Sequence, residues 1–279
     1  MADGSTKNIE DVEPGDEVIT YNTDTGEHET HVVTALFSKQ AEVLLEITVT
    51  EDTTSNQDST GDRVAGEVSG TDPPASSDSL TVTPEHPFWE PTEETWTPAG
   101  DLQPGDHLLQ RDGDLLTITS ITTPDRTTPF TVYNFTVAGT HNYYATTLDT
   151  LVHNCGSGAK DGGGLSEDEL LEASIKLRDE FSQQVFTQHG RKSPATVTAG
   201  YNVETGQYAA GYNVKGACAE MCVMAQLGGD IGNIRFTSAI RPRTGGQVPV
   251  CLVCEARYSR SPFVQVGTLF RSDFFTRFY

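Results

Sequence analysis

The segment Asp11-Val12-Glu13-Pro14-Gly15-Asp16-Glu17-Val18 returns ninety residues later as Asp101-Leu102-Gln103-Pro104-Gly105-Asp106-His107-Leu108. Proline pre-sets the backbone of a turn, glycine supplies the positive φ that follows, and an aliphatic residue then starts an extended run. Two copies of such a turn-into-strand signal predict two related halves within one all-β unit. Short runs of β-branched and apolar residues surround both copies: Val18–Tyr21, Val32–Phe37, Val43–Val49, Leu80–Thr83, Leu115–Ile121, Thr131–Val137 and Leu151–Val152. The polar run 51–79, with Pro73-Pro74, reads as a disordered or long surface loop.

Beyond residue 155 the period changes. Residues 156–164, Gly-Ser-Gly-Ala-Lys-Asp-Gly-Gly-Gly, read as a flexible linker. Ser166 followed by Glu169 is a capping box, and the apolar spacing from Leu170 to Val185 predicts an amphipathic helix to about Gln188. Two strands, 195–201 and 207–212, flank the hairpin signal Val203-Glu204-Thr205-Gly206. A helix Cys218–Leu227, a strand Ile234–Ile240, a helix Leu252–Tyr258, a strand Phe263–Val266 and a last helix in the aromatic tail Phe270–Tyr279 complete the expectation. That order is an α/β layered domain with a mixed sheet.

Charge divides the chain at the same place. Residues 1–155 carry 5 Lys and Arg against 28 Asp and Glu, whereas residues 156–279 carry 13 against 12. The net −22 of the whole chain therefore belongs to the first half, and only the C-terminal part, with seven Arg after residue 234, can approach a polyanion. No apolar run reaches the roughly 18 residues of a membrane span. The first residues, Met-Ala-Asp-Gly-Ser-Thr-Lys, have no apolar stretch of a signal peptide. All five cysteines lie at or after 155, four of them in metal-like spacing, which argues against a disulfide framework.

Cys218-Ala219-Glu220 and Cys251-Leu252-Val253-Cys254 carry the chemistry. Cys218, Cys251 and Cys254 at the starts of two helices can hold zinc as thiolates and leave a fourth position for water. Glu220 stands close enough to take that water's proton and return it to a ring nitrogen and to departing ammonia. The spacing leaves an alternative open: Cys218-x3-Cys222 with Cys251-x2-Cys254 would make a closed, structural four-cysteine site.

Residues 195–267 resemble the zinc-dependent nucleoside and nucleic-acid deaminase superfamily, through the order hairpin, C-A-E helix, strand, C-x-x-C helix, strand. The pattern is usually written H-x-E with P-C-x-x-C. Here Cys218 replaces the histidine, and Pro249 stands two residues before Cys251 instead of one. The bacterial polymorphic-toxin deaminases, the YwqJ-like group, are the most similar branch. The resemblance implies a three-layer cytidine-deaminase-like fold with a mixed five-stranded sheet over 165–279. It makes Cys218, Cys251 and Cys254 zinc ligands, Glu220 the proton shuttle and Asn213 a substrate contact, although Asn213 reads equally as a strand-end cap. Arg241, Arg243, Arg257 and Arg260 are candidates for guiding phosphates, and Tyr212 and Phe236 for stacking a base.

Thr83-Pro84-Glu85-His86, with Leu151-Val152-His153-Asn154-Cys155, resembles the Hint superfamily of hedgehog and intein autoprocessing domains, in its pretoxin form, over roughly 1–155. The resemblance implies that Thr83 and His86 activate an upstream peptide bond. It also implies that Asn154, assisted by His153, breaks the Asn154–Cys155 bond. A nucleophilic Cys or Ser on a strand ahead of Ala2-Asp3-Gly4 belongs to that pattern, and this chain lacks both.

Together the two resemblances imply the C-terminal region of a secreted bacterial toxin. A Hint module would release a zinc-dependent deaminase of cytosine in single- or double-stranded nucleic acid, DNA before RNA. Export signals would lie upstream, the target-cell cytoplasm would be the destination, and a cognate immunity protein would be a partner. Deamination of free nucleosides or nucleotides, and a non-catalytic module with the four-cysteine zinc site, are the competing expectations.

Overall fold

A computed structural model describes residues 1–41, 43–52, 75–125, 130–154, 156–228 and 230–274. The strands of the first half are β1 (Glu17–Asn22), β2 (Glu27–Ala41), β3 (Leu45–Glu51), β4 (Ser77–Val82), β5 (Pro87–Glu90), β6 (Thr95–Pro98), β7 (His107–Leu109), β8 (Leu115–Thr122), β9 (Phe130–Val137), β10 (Asn142–Ala145) and β11 (Thr150–His153). They form three antiparallel sheets, ordered β1-β2-β9, β4-β3-β8-β7 and β10-β11-β5-β6. Val18, Val33, Ile47, Val49, Phe88, Leu108, Leu116, Ile118, Phe135 and Val137 share one core between them.

The sequence repeat is also a repeat of structure. Gly15 and Gly105 take φ of +100° and +99°, values at which only glycine is unstrained. Their amides donate to Val33 O at 2.9 Å and Ile118 O at 2.8 Å, and the returning amides of Val33 and Ile118 donate to Asp16 O and Asp106 O. The Asp16 and Asp106 carboxylates each accept the backbone N–H three residues before, at 2.8 and 2.7 Å. Each copy thus pins its turn to the long strand paired with the one it starts, β2 for the first copy and β8 for the second. Most of the polar run 51–79 lies outside the described residues. Its ends do not form a loop, since Glu51 closes β3 and Ser77–Ser79 open β4.

The second half holds β12 (Lys160–Asp161), α1 (Glu167–His189), β13 (Val197–Asn202), β14 (Gln207–Tyr212), α2 (Ala219–Leu227), β15 (Ile234–Phe236), β16 (Ala239–Ile240), β17 (Gln247–Val248) and α3 (Leu252–Tyr258). The Ser166–Glu169 capping box starts α1 as expected. The sheet has six strands rather than five, in the order β12-β14-β13-β16-β17 with β15 also on β13. Its named strand pairs are antiparallel, and among the described residues the parallel pairing is that of the bridges Phe236–Phe263 and Val250–Phe270. The expected strand Ile234–Ile240 is broken at Thr237-Ser238, and Phe263–Val266 contributes one bridge, not a strand. The aromatic tail supplies a short 3-10 turn, Arg271–Phe274, and residues 275–279 lie outside the described residues.

Residues 156–161 are not a flexible linker. Gly156 bridges Gly211, Ser157 N donates to Ala210 O at 2.9 Å, and β12 pairs β14. An edge that would otherwise expose unpaired backbone recruits the nearest extended segment.

Helices α1 and α2 cover opposite faces of the sheet. Leu177, Phe181 and Val185 of α1 pack on Val197, Ala199, Ala210 and Tyr212. Helix α2 lies on the other side, over Ala209, Gly200 and Gly211. A β-carbon on Gly211 would stand 2.7 Å from Cys222 Cβ and 2.9 Å from Ala219 O. On Gly200 it would stand 2.6 Å from Arg235 O and 3.1 Å from Val223 Cγ1. These two glycines let the helix rest directly on the backbone of the sheet. Gly211→Val is expected to lower the thermal midpoint of the chain by overpacking this contact, at a cost of about 1–3 kcal/mol. Calorimetry of the variant checks it.

Candidate metal centre and processing site

Cys218 is the N-cap of α2 and Cys251 the N-cap of α3, both with extended backbone. Cys254 follows one turn into α3, and its N–H donates to Cys251 Sγ at 3.4 Å. Extended N-cap geometry aims both side chains back over the exposed amides of their helices, where negative charge is favoured. The three sulfurs lie within 4.8 Å of one another, with Cys218 Sγ and Cys251 Sγ 3.2 Å apart. A tetrahedral zinc site with Zn–S of about 2.3 Å needs sulfurs about 3.8 Å apart. The cluster fits a thiolate-bound metal ion such as zinc by donor type, and Cys218 Sγ and Cys251 Sγ would open by about 0.6 Å to take it.

Its electrostatics make the same point. A thiol proton shared with Cys251 pushes Cys218 up to about 12, while the same contact pulls Cys251 down to about 2. Cys254 is pushed up by its contacts with Cys218 and Cys251. Three sulfurs this close cannot all ionise without a cation among them.

Glu220, in the first turn of α2, is buried, and Cys254 Sγ donates to its Oε2 at 3.3 Å. Burial raises its pKa above the ordinary glutamate value. Cys222, the fourth member of the closed alternative, is buried on the face of α2 that meets Gly211, and it is disulfide-bonded. It is not available as a ligand. The expectation that the chain is without disulfides is corrected at this position.

The other residues named from the sequence fall elsewhere. Asn213 accepts the Thr196 N–H at 2.8 Å and donates its own N–H to Thr196 O at 3.0 Å, so it caps the end of the β13–β14 pair. Arg241 and Arg243 are exposed in the turn between β16 and β17. Arg257 pairs with Asp101 at 2.5 Å. Arg260 pairs with Asp273 and lies over the Phe270 ring. Tyr212 and Phe236 are core residues rather than stacking platforms: Phe236 packs on Phe263 and Tyr258, and Tyr212 on Phe181.

In the first half, the register Val152↔Phe88 sets β11 antiparallel to β5, so that two residues further on Asn154 comes level with His86. Thr83 O accepts the His86 N–H at 3.0 Å, closing a tight turn. His153 and Asn154 are both buried. The Asn154 backbone N–H donates to His141 O at 2.7 Å, and its side-chain Nδ2 to Phe135 O. Cys155 lies outside the described residues.

His141 is the residue the sequence reading missed. It is buried with φ +55°, and neither ring nitrogen has a hydrogen-bond partner among the described residues. Its signal was present, for His141-Asn142 is the same dipeptide as His153-Asn154. Burial pushes His86 and His141 down to about 4 and His153 well below its ordinary value, with His86 and His141 both acting on His153. All three imidazoles are therefore neutral at pH 7, as a proton-transfer role requires.

Three comparisons with known proteins bear on this geometry. Residues 67–155 match the family described as Pretoxin HINT domain. Similar solved structures include a bacterial intein-like domain from Clostridium thermocellum, at 28% identity and TM-score 0.40, which covers 52% of this chain and 86% of that one. A DnaB intein from Synechocystis sp. PCC 6803 follows at 22% identity and TM-score 0.37, covering 55% and 89%. The DnaX mini intein from Spirulina platensis has 19% identity and TM-score 0.34, covering 50% and 81%. No curated protein matches the chain.

Burial of neutral histidine has a pH signature. Below pH 6.5 the unfolded chain takes up a proton that His141 in the folded chain refuses until about pH 4. The stability it contributes is full above 6.5 and is lost as pH falls through that window, about 3 kcal/mol in all. Thermal midpoints between pH 7 and 4.5 should fall steeply in the wild type. They should fall less in His141→Asn, which tolerates the positive φ and does not titrate.

Proposed function

We propose that this chain is the C-terminal region of a secreted bacterial polymorphic toxin, in which a pretoxin Hint module severs the chain after Asn154 and a zinc-dependent deaminase domain acts on cytosine in nucleic acid. The observation that carries the deaminase reading is the convergence of Cys218, Cys251 and Cys254 with the buried Glu220 carboxyl against Cys254. The disulfide at Cys222 weighs against the structural four-cysteine alternative.

At the processing site, Asn154 Nδ2 attacks the carbonyl carbon of its own residue and closes a succinimide ring. Nδ2 gives up one proton as the ring closes, the C–N bond to Cys155 breaks, and His153 relays a proton to the departing amine, so that the imidazole ends neutral as it began. The backbone contact of Asn154 with His141 O and the side-chain contact with Phe135 O hold both ends of the reacting residue. Burial excludes competing water.

At the metal centre, Cys218, Cys251 and Cys254 would hold zinc, which when bound supplies the Lewis acidity that makes water nucleophilic at neutral pH. Glu220 Oε2 takes one proton of the attacking water and delivers it to the ring nitrogen, then takes the second from the new hydroxyl and delivers it to the amino group, which leaves as ammonia. Water adds, ammonia departs, and cytosine becomes uracil. The seven arginines beyond residue 234 leave this part of the chain approachable by phosphates, with Arg241 and Arg243 exposed for that role. DNA is the favoured polymer. Export signals upstream, delivery to the target-cell cytoplasm and a neutralising immunity protein complete the reading. Among the described residues no helix is long and apolar enough to cross a membrane.

Two measurements test it. Zinc content and deamination of single- and double-stranded DNA and RNA oligonucleotides, with free cytidine as competitor, are read on the full chain. Cys251→Ala should lose zinc and activity, Cys222→Ser should keep zinc, and Glu220→Ala should keep zinc while losing at least about 10²-fold in rate. Turnover of free cytidine in preference to polymer would transfer the assignment to a metabolic deaminase, and no turnover with zinc bound and Glu220 intact would end it. For the first module, a denaturing gel follows scission: Asn154→Ala should abolish it, and His153→Ala should slow it by about 10²-fold or more.

A further inference from the structure

The two halves are joined by far more than the chain between them. Lys39 of β2 is 7% exposed, and its ammonium leaves the first module to donate to Met224 O at 3.4 Å and to Ala225 O. Both carbonyls belong to the last turn of α2, where a cation meets the negative end of the helix. Gly228 ends that helix at φ +62°, and a β-carbon there would stand 2.9 Å from Lys39 Cδ. The helix terminus is shaped to the lysine.

A second contact lies at the other end of α2. Tyr212 is buried with its ring 5.3 Å from His141 and 6.4 Å from His153. Val214 packs on the Trp89, Trp96, Leu109 and Leu151 cluster of the first module. Trp96 N donates to Lys215 O at 2.9 Å. Gly216 fits so closely that a β-carbon would fall 2.1 Å from Thr95 Oγ1. Arg257–Asp101 at 2.5 Å and Lys215–Glu94 at 3.5 Å close the rim. The 213–217 segment runs straight into Cys218, so the first module grips the approach to the cluster as well as the far end of the helix that carries Glu220.

We propose that the N-terminal module is an intramolecular docking partner of the C-terminal domain, seated on residues 212–217 and on the end of α2, and that it stays bound after the chain is cut. The part that concerns scission rests on cleavage after Asn154. None of the contacts above depends on the peptide bond at the junction, and the flanking Asn154 and Gly156 are both buried. Scission and release are then separate steps, and the domain that bears the cluster is covered until the module dissociates.

The test uses the full chain with a specific protease site inserted at the exposed Gly163-Gly164 turn. After digestion, with a reductant present throughout so that the Cys222 disulfide links nothing, a denaturing gel shows the cut and native size-exclusion chromatography shows the assembly. Wild-type fragments should co-elute near the 30.2 kDa of the intact chain. Lys39→Glu puts a carboxylate against the helix carbonyls, and Val214→Asp puts one among the tryptophans. Each should shift the digested fragments to separate, later elution, and the two attack opposite sides of the interface in case one fails to fold. The nick leaves 156–161 with the first fragment, and the variants distinguish that strand pairing from the docking. Wild-type fragments that separate, or fragments that stay together in both variants, would overturn the proposal. An uninserted chain that shows no cut on the denaturing gel counts against Asn154 scission alone, because the nicked chain still reports docking.

Discussion

Three sulfurs held within 4.8 Å of one another, with a buried carboxyl against one of them, could hold a metal ion, and without a cation they cannot all ionise. The rest of the C-terminal domain follows from keeping them there. Two helix N-caps deliver Cys218 and Cys251, and each helix must be fixed in translation and rotation for the sulfurs to meet. Helix α2 is fixed by lying on the bare backbone at Gly200 and Gly211, which allows no slippage along the sheet. Helix α3 is fixed through Cys254 and Tyr258, buried in the same core as Met221, Val223 and Phe236.

The first module acts on this arrangement from outside. It holds the segment before Cys218 and the carbonyls at the opposite end of α2, so that the nine-residue helix is gripped at both ends by a separate body. A buried ammonium is an expensive way to make such a contact, and burial duly pulls Lys39 down to about 8. In this position the ammonium is met by the Met224 and Ala225 carbonyls at the negative end of α2. The same interface sets Tyr212 against His141 and His153, so these buried histidines and the cluster-bearing domain share one packed boundary.

Much of this was legible in the residues. The ninety-residue repeat predicted a pair of equivalent turns, and Gly15 and Gly105 make them with the same hydrogen bonds because the proline, the glycine and the aspartate each fill a local, backbone-determined role. Helices α1, α2 and α3 followed from capping signals and apolar spacing, and the convergence of the three cysteines followed from a motif. The failures were of a different kind. Ile234–Ile240 breaks in two because Thr237 and Ser238 turn to bond Ala199 and Gln265 across the fold. Residues 156–161 looked like a linker by composition, yet the open edge of β14 was waiting for them. Tyr212 and Phe236 looked available for stacking, but the layers close over both.

By itself, then, the sequence determined the local elements, the two-part organisation and the donor set of the candidate metal centre, because turns, caps and ligand types are written in neighbouring residues. Only the tertiary structure decided that Cys222 is a disulfide cysteine and not a fourth ligand, that His141 joins His153 and Asn154, and that Lys39 reaches from one module into the other. Those three outcomes depend on which surfaces meet across separations of 12 residues or more. Sequence periodicity reports which face of an element is buried, but not what it is buried against.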